Sequence, residues 1–285
     1  MTQQEAQHAG EQPPFPSEYV TVDGLNIRLA RNSRTDGPTV LLLSPLPESL
    51  YAFTPVWQEL SEKFRLVAVD LPGFGQSEGD AKFMTPNGMA DFVIRLAEHL
   101  GLTRIHGIGP DIGTPTLLAA AAAKPELFES LIVGSGATSY PLKVEGLLKD
   151  FVEAESAENF RGVDMKQVVD SLFTFDGYSP SQFVRNDYVT SYTPDRFVDS
   201  LAFIRSYPSN LEQLNRDLAS VQVPVQIIVG RNDPFIPLEN AEDLHRSLSR
   251  SSLAVLDSGH LPWEESFRKY GTIAEQWIEG GYRSA

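Results

Sequence analysis

The chain has 285 residues, 41% of them apolar, with a formal net charge of −15; that length can bury the core of one large α/β domain, or of a domain carrying an insertion. So acidic a balance disfavours nucleic acid and anionic membranes as partners. The sequence has no cysteine, which excludes disulfides and thiolate metal sites, and it has no run of about 18 apolar residues, the length a membrane span needs.

Met1 to Pro16 is polar and rich in Gln, Glu and Pro, and it lacks the apolar stretch of a secretory signal. It reads as a mobile leader, residues 1–16, on a cytoplasmic protein. Tyr19 to Val22 and Leu25 to Leu29 are β-patterned runs joined by Asp23-Gly24, a strong hairpin-turn signal. Val40 to Leu43 is a continuous apolar run, as in a strand buried on both faces. Ser44-Pro45-Leu46-Pro47 follows, then a helical segment near Phe53 to Lys63 and a second buried strand, Leu66 to Val69. Strand, helix and strand with short links predict a parallel sheet. The Gly/Pro-rich cluster from Asp70 to Ser77 reads as turn chemistry, and Met89 to Leu100 has helical spacing.

The stretch Gly107-Ile108-Gly109-Pro110-Asp111-Ile112-Gly113 comes next. It lies between the strand-like run Arg104 to Ile108 and an Ala-rich helix, Thr116 to Ala123. Gly109 and Gly113 let backbone and helix approach closely, while Asp111 takes a strained, exposed conformation at the positive end of the helix. The pattern G-x-D-x-G is weak alone, since a turn carrying Asp is commonly just a turn. Its weight comes from the order of the parts that follow.

Leu131 to Val133 is a further strand and ends in Gly134-Ser135-Gly136. From Ala137 to Leu218 the character changes to charged helical stretches, several Tyr and Phe, and Pro breaks, with no buried-strand run. This segment, 137–218, reads as a helical cap inserted between two parts of a core, 17–136 and 219–285. Val225 to Val229 resumes the strand pattern, Leu238 to Leu248 is helical, Leu253 to Leu256 is a last strand and Ser266 to Glu279 a last helix. Glu264 and Glu265 fall in the first turn of that helix. In open α/β sheets, ligands sit beyond the carboxyl ends of the strands. Three such ends carry Asp111, Asp233 within Gly230-Arg231-Asn232-Asp233-Pro234, and His260 at the close of Asp257-Ser258-Gly259-His260.

A nucleophile, an acid and a histidine in that order, each after a successive strand, match the α/β-hydrolases, and the sequence resembles that superfamily from about Tyr19 onward. The resemblance implies an α/β-hydrolase fold, a mostly parallel central sheet flanked by helices with an inserted helical cap. It makes Asp111 the nucleophile, His260 the base and Asp233 its orienting acid, with the backbone N–H groups of Leu46 and Ile112 as the oxyanion hole. The loop after Val133 offers no rival carboxylate. His8, His99, His106 and His245 lie in the leader, near a helix end, in a strand and on an amphipathic helix. One departure is clear: Ser44-Pro45 stands where the familiar loop begins His-Gly.

A carboxylate in the serine position favours attack at saturated carbon. It is already anionic, and its product is an ester that water activated by His260 can hydrolyse. Haloalkane dehalogenases resemble the chain in using Asp, but they place a Trp after it; here that residue is Ile112, and Trp57, Trp263 and Trp277 all lie outside the cap. The arginine that fluoroacetate dehalogenases carry after the nucleophile is also missing. Epoxide hydrolases use cap tyrosines as acids, and this cap holds Tyr140, Tyr178, Tyr188, Tyr192 and Tyr207. The family's tyrosine before an arginine near the end of the cap is replaced by Ile204 before Arg205, and Tyr207 follows on the same helical face. Tyr178, Tyr188 and Tyr207 are the candidate substrate contacts. The expected activity is a hydrolase without cofactor or metal that opens a small uncharged epoxide to a diol, with water as second substrate. A dehalogenase is the runner-up, and a non-catalytic ligand-binding protein on the same scaffold is the alternative of a different class. No nucleic acid or membrane partner is expected, and a homodimer is compatible with the chain.

Overall fold

The computed structural model describes residues 12–173 and 178–285. Eight strands form one sheet: β1 (Glu18–Val22), β2 (Leu25–Arg31), β3 (Thr39–Leu43), β4 (Arg65–Val69), β5 (Ile105–Pro110), β6 (Phe128–Gly134), β7 (Val225–Gly230) and β8 (Ser251–Leu256). Their order is β1-β2-β4-β3-β5-β6-β7-β8. Only β1 with β2 and β2 with β4 pair antiparallel, and the rest are parallel. The β1–β2 turn takes Asp23 at φ 53° and Gly24 at φ 82°. Two left-handed residues in a two-residue loop match the right-handed twist of the strands, which is why Asp-Gly serves there.

The apolar runs form inner strands because neither face meets water. In β3, Leu41 and Leu43 join the core on one side of the sheet while Val40 and Leu42 join the core on the other, as the two-residue period requires. Helices α1 (Thr54–Lys63), α2 (Pro86–His99) and α3 (Gly113–Ala123) cover these faces in the first part of the chain. The run of alanines in α3 lets a helix that is buried nearly all round fit close to the sheet.

Between β6 and β7 the chain forms α4 (Gly146–Glu153), α5 (Met165–Leu172), α6 (Gln182–Tyr192), α7 (Arg196–Arg205) and α8 (Tyr207–Asp217). The chain then returns through β7, α9 (Leu238–Ser247), β8, the short α10 (Pro262–Glu265) and α11 (Phe267–Glu279). Among the described residues no helix is long and apolar enough to cross a membrane.

Three expectations need correction. Phe15, assigned above to the leader, is 5% exposed and stacks on Trp57 with ring centroids 3.9 Å apart. Burying such a ring contributes about 1.5–3 kcal/mol, enough to pin the chain before β1; residues 1–11 of that leader lie outside the described residues. Glu264 and Glu265 belong to α10 rather than to the last helix, and Glu264 is wholly buried. Asp70 and Ser77 do more than form a turn. Asp70 is fully buried and accepts from Arg28 Nε (2.6 Å), Leu50 N (2.6 Å) and Gln76 N (2.9 Å). Arg28 then reaches the helix Gln182–Tyr192, donating to both carboxylate oxygens of Asp187 at 2.6 and 2.9 Å. A buried carboxylate needs such partners, and these come from distant parts of the chain.

Candidate active site

Asp111 sits between the end of β5 and the start of α3, at φ 52°. A non-glycine residue there carries backbone strain on the order of 1–2 kcal/mol, so its surroundings must hold it. Asp111 N donates to Gly134 O at 2.9 Å. The Thr114 hydroxyl accepts from Gly134 N at 2.9 Å and faces the carbonyls of Gly109 and Gly134 at 3.0 and 2.8 Å. Gly109 has to be glycine: a Cβ built there would lie 2.7 Å from Leu117 Cδ1 and 2.8 Å from Gly113 O. The close return of α3 onto β5 is what turns the Asp111 side chain out of the sheet.

Two backbone N–H groups face that carboxylate. Leu46 N donates to Asp111 Oδ2 at 2.8 Å, and Ile112 N–H is directed at the same group. The Leu46 bond forms although the loop begins Ser44-Pro45. His260 approaches the other oxygen, with Nε2 3.9 Å from Asp111 Oδ1. Its Nδ1 lies 2.8 Å from Asp233 Oδ2, while Asp233 Oδ1 accepts from Phe235 N and Ile236 N at 2.8 and 3.0 Å. The loop carrying His260 is held by Glu265, which accepts from Gly259 N at 2.6 Å and Leu261 N at 3.0 Å. The structure thus brings together Asp111, Asp233, His260, Leu46 and Ile112.

Burial by itself would lower the His260 imidazole, but the negative charges of Asp233 and Asp111 outweigh it and push it up to about 9. Burial raises Asp111 above the usual carboxylate range, against the pull of His260 and of the Leu46 and Ile112 bonds. Each group thus favours the charged form of the other in a poorly solvated site.

The tyrosines separate by partner. Tyr188 is buried with its hydroxyl donating to Glu264 Oε1 at 3.3 Å. Tyr192 donates to Glu48 O at 2.9 Å and accepts from Gly75 N at 3.2 Å. Tyr178 stands edge-on to Phe267 and is raised by burial, then by the charges of Glu264 and Glu48. Tyr140 is 49% exposed. Tyr207 is buried against Phe203, and its phenol is raised well above its ordinary value by burial, then by the charge of Asp111. Its hydroxyl makes no hydrogen bond among the described residues. Of the candidates Tyr178, Tyr188 and Tyr207, it is Tyr207 that feels the charge of Asp111 and keeps its hydroxyl uncommitted.

Sequence reasoning missed Glu48. It follows Pro47 in the loop that carries Leu46, it is fully buried, and its Oε2 accepts from the Trp263 indole N–H at 3.2 Å. A carboxylate directly after the oxyanion loop was the available signal. The Trp263 indole N–H is taken up by Glu48 and is not offered to a group leaving Asp111.

The model of the α/β-hydrolase fold family matches residues 38–267. The chain is 28% identical over 275 residues to the uncharacterized hydrolase YugF of Bacillus subtilis, covering 88% of this chain and 93% of that protein. Among solved structures, Cfl2 of Burkholderia cenocepacia superposes with a TM-score of 0.80 at 24% identity, covering 92% of this chain and 95% of that one. The epoxide hydrolase VrEH1 of Vigna radiata gives 0.77 at 20% identity, covering 95% and 99%. At those identities the structural likeness speaks for fold. The sheet order, the strained turn after β5, the positions of Asp233 and His260 and the extent of the family match place this chain in the α/β-hydrolase family.

Proposed function

We propose that the chain is an Asp-nucleophile hydrolase that opens a small uncharged epoxide to a diol through an alkyl-enzyme ester. The carrying observation is the placement of the Asp111 carboxylate: one oxygen is bound by Leu46 N–H, and the other faces His260. Asp111 Oδ1 attacks a ring carbon and the C–O bond of the epoxide breaks. Tyr207 gives its proton to the departing oxygen, which leaves a hydroxyl on the bound alkyl group. The Tyr207 phenolate regains its proton from the His260 imidazolium, and the now neutral Nε2 takes a proton from water, whose oxygen adds to Asp111 Cγ. The oxyanion forms on Oδ2 between the N–H groups of Leu46 and Ile112. Its collapse expels the alkoxide, which takes up the proton of the new carboxyl group, so that the diol leaves, the carboxylate is restored and His260 is again protonated.

Electrostatics support this order of events. In the resting site the charge of Asp111 helps keep His260 protonated, a poor state for a base. Esterification removes that charge, so the imidazole loses a source of its elevation just when water has to be deprotonated. The dehalogenase reading has less support, since Ile112 rather than a Trp follows Asp111 and the Trp263 indole is taken up by Glu48. A binding-only role leaves the His260–Asp233 hydrogen bond without a purpose.

The test is one turnover in heavy-oxygen water with a panel of epoxides. Label should enter the Asp111 carboxylate; label found only in the diol would mean direct attack by water and would overturn the covalent route. Halide release from haloalkanes without epoxide opening would favour the dehalogenase. Ligand binding with no turnover of epoxides, haloalkanes or esters would favour the binding protein.

A further inference from the structure

Two carboxyl groups unused by this chemistry lie beside it. Glu48 belongs to the loop that presents Leu46 N–H to Asp111, and Glu264 lies on α10, four residues after His260; both are fully buried. Glu48 Oε1 and Glu264 Oε2 find no donor among the other described groups, while the two side chains are within hydrogen-bonding reach of one another. Their remaining oxygens are tied to opposite sides of the site. Trp263 Nε1 donates to Glu48 Oε2 at 3.2 Å, and Tyr188 of the cap donates to Glu264 Oε1 at 3.3 Å. Tyr192, one turn along α6, donates to the backbone carbonyl of Glu48 at 2.9 Å. The charged and titratable groups facing the pair are Asp111, His260, Tyr178, Tyr188 and Arg185.

Two carboxylates in contact within a dry interior cannot both ionise, because neither repulsion nor desolvation is compensated. Two orphaned oxygens in such a place are also costly unless a proton joins them. We propose that Glu264 is a positioning residue: as a neutral acid donating its proton to Glu48, it ties the cap, through Tyr188, to the loop that carries the Leu46 N–H. Glu264 is raised well above its ordinary value by burial and then by the charge of Glu48, in keeping with this arrangement. The seating of the cap and the placement of an oxyanion donor are thereby one event. The functional consequence rests on the reading of Leu46 as that donor, but the protonation and the tie can be measured without substrate.

Infrared difference spectra at about pH 8 between wild type and Glu264→Gln should show an un-ionised carboxyl in the wild type that the variant lacks. Amide exchange of the segment 44–50 should quicken by about tenfold or more in Glu264→Ala, and Glu264→Gln, which keeps an N–H donor toward Glu48, should restore protection. A wild-type spectrum with every carboxyl ionised at that pH would overturn the proposal, and needs no variant to fold. Equal protection of the segment in Glu264→Ala and wild type would overturn the tie. Both readouts are independent of turnover, so failure of the epoxide chemistry leaves them standing.

Discussion

Asp111 Oδ1 lies 3.9 Å from His260 Nε2, too far for a hydrogen bond yet close enough for each group to govern the charge of the other. At that distance in a poorly solvated site, a change in the charge of one is felt strongly by its neighbour. The chemistry proposed above alternates the charge on Asp111, and His260 follows it.

Stability should fall as pH rises. His260 goes from its ordinary 6.5 up to about 9 in the folded protein, so its contribution is complete below 6.5 and is lost as pH climbs through 9. Glu48, raised from 4.5 to about 7 by burial, acts in the same direction between those values. The His260 part is roughly 3 kcal/mol at most. Melting temperatures between pH 5 and 9.5, about the span of these shifts, should decline in the wild type and decline less in His260→Gln. Identical slopes for the two proteins would refute the coupling.

His260→Gln should also trap the intermediate. With the base gone, ester formation outlives its hydrolysis, and mass spectrometry should find the alkyl adduct on the peptide containing Asp111. An unmodified peptide after prolonged exposure to an epoxide that the wild type consumes would count against the scheme.

Tyr207→Phe should slow alkylation of Asp111 by about a hundredfold or more, the usual worth of a positioned acid. The hydrolytic step, which does not use the phenol, should change much less. Stopped-flow measurement of the two phases separates these effects, and equal slowing of both would remove Tyr207 from its assigned role.

Arg28→Met should destabilise the protein by about 3–5 kcal/mol, because it strands the carboxylates of Asp70 and Asp187 in the interior. Asp187→Asn should cost less, since Arg28 keeps Asp70. Urea unfolding curves give both values, and a smaller loss in Arg28→Met than in Asp187→Asn would show that the ion pairs are not what holds this region.

Much of this molecule is legible in the chain, for physical reasons. Val40 to Leu43 and Val225 to Val229 announce inner strands because burial on both faces leaves no polar position. Asp111, Asp233 and His260 are legible because each sits directly after a strand, where chain order fixes spatial neighbourhood. Arg28, Asp70 and Asp187 are not, because a buried ion cluster is defined by partners 42 and 159 positions apart. Glu48 and Glu264 escape for the same reason: a glutamate near a helix start is commonly a solvated residue at the positive end of the dipole, and only the fold reveals that these two meet. Phe15 is one aromatic in a polar tract, and its burial depends on where Trp57 lies.

The chain leaves the sheet after β6 for the helices α4 to α8 and returns at β7, and these two strands lie side by side in parallel register. The scaffold's hydrogen-bonded ladder therefore runs unbroken past the whole excursion, which is tied back to the loop of Glu48 and to Glu264 by side chains of α6 rather than by the sheet. Evolution or engineering of this excursion meets its constraints at the seam: whatever replaces α6 has to bring an anion to Arg28 and donors to Glu48 and Glu264, which Asp187, Tyr192 and Tyr188 now supply.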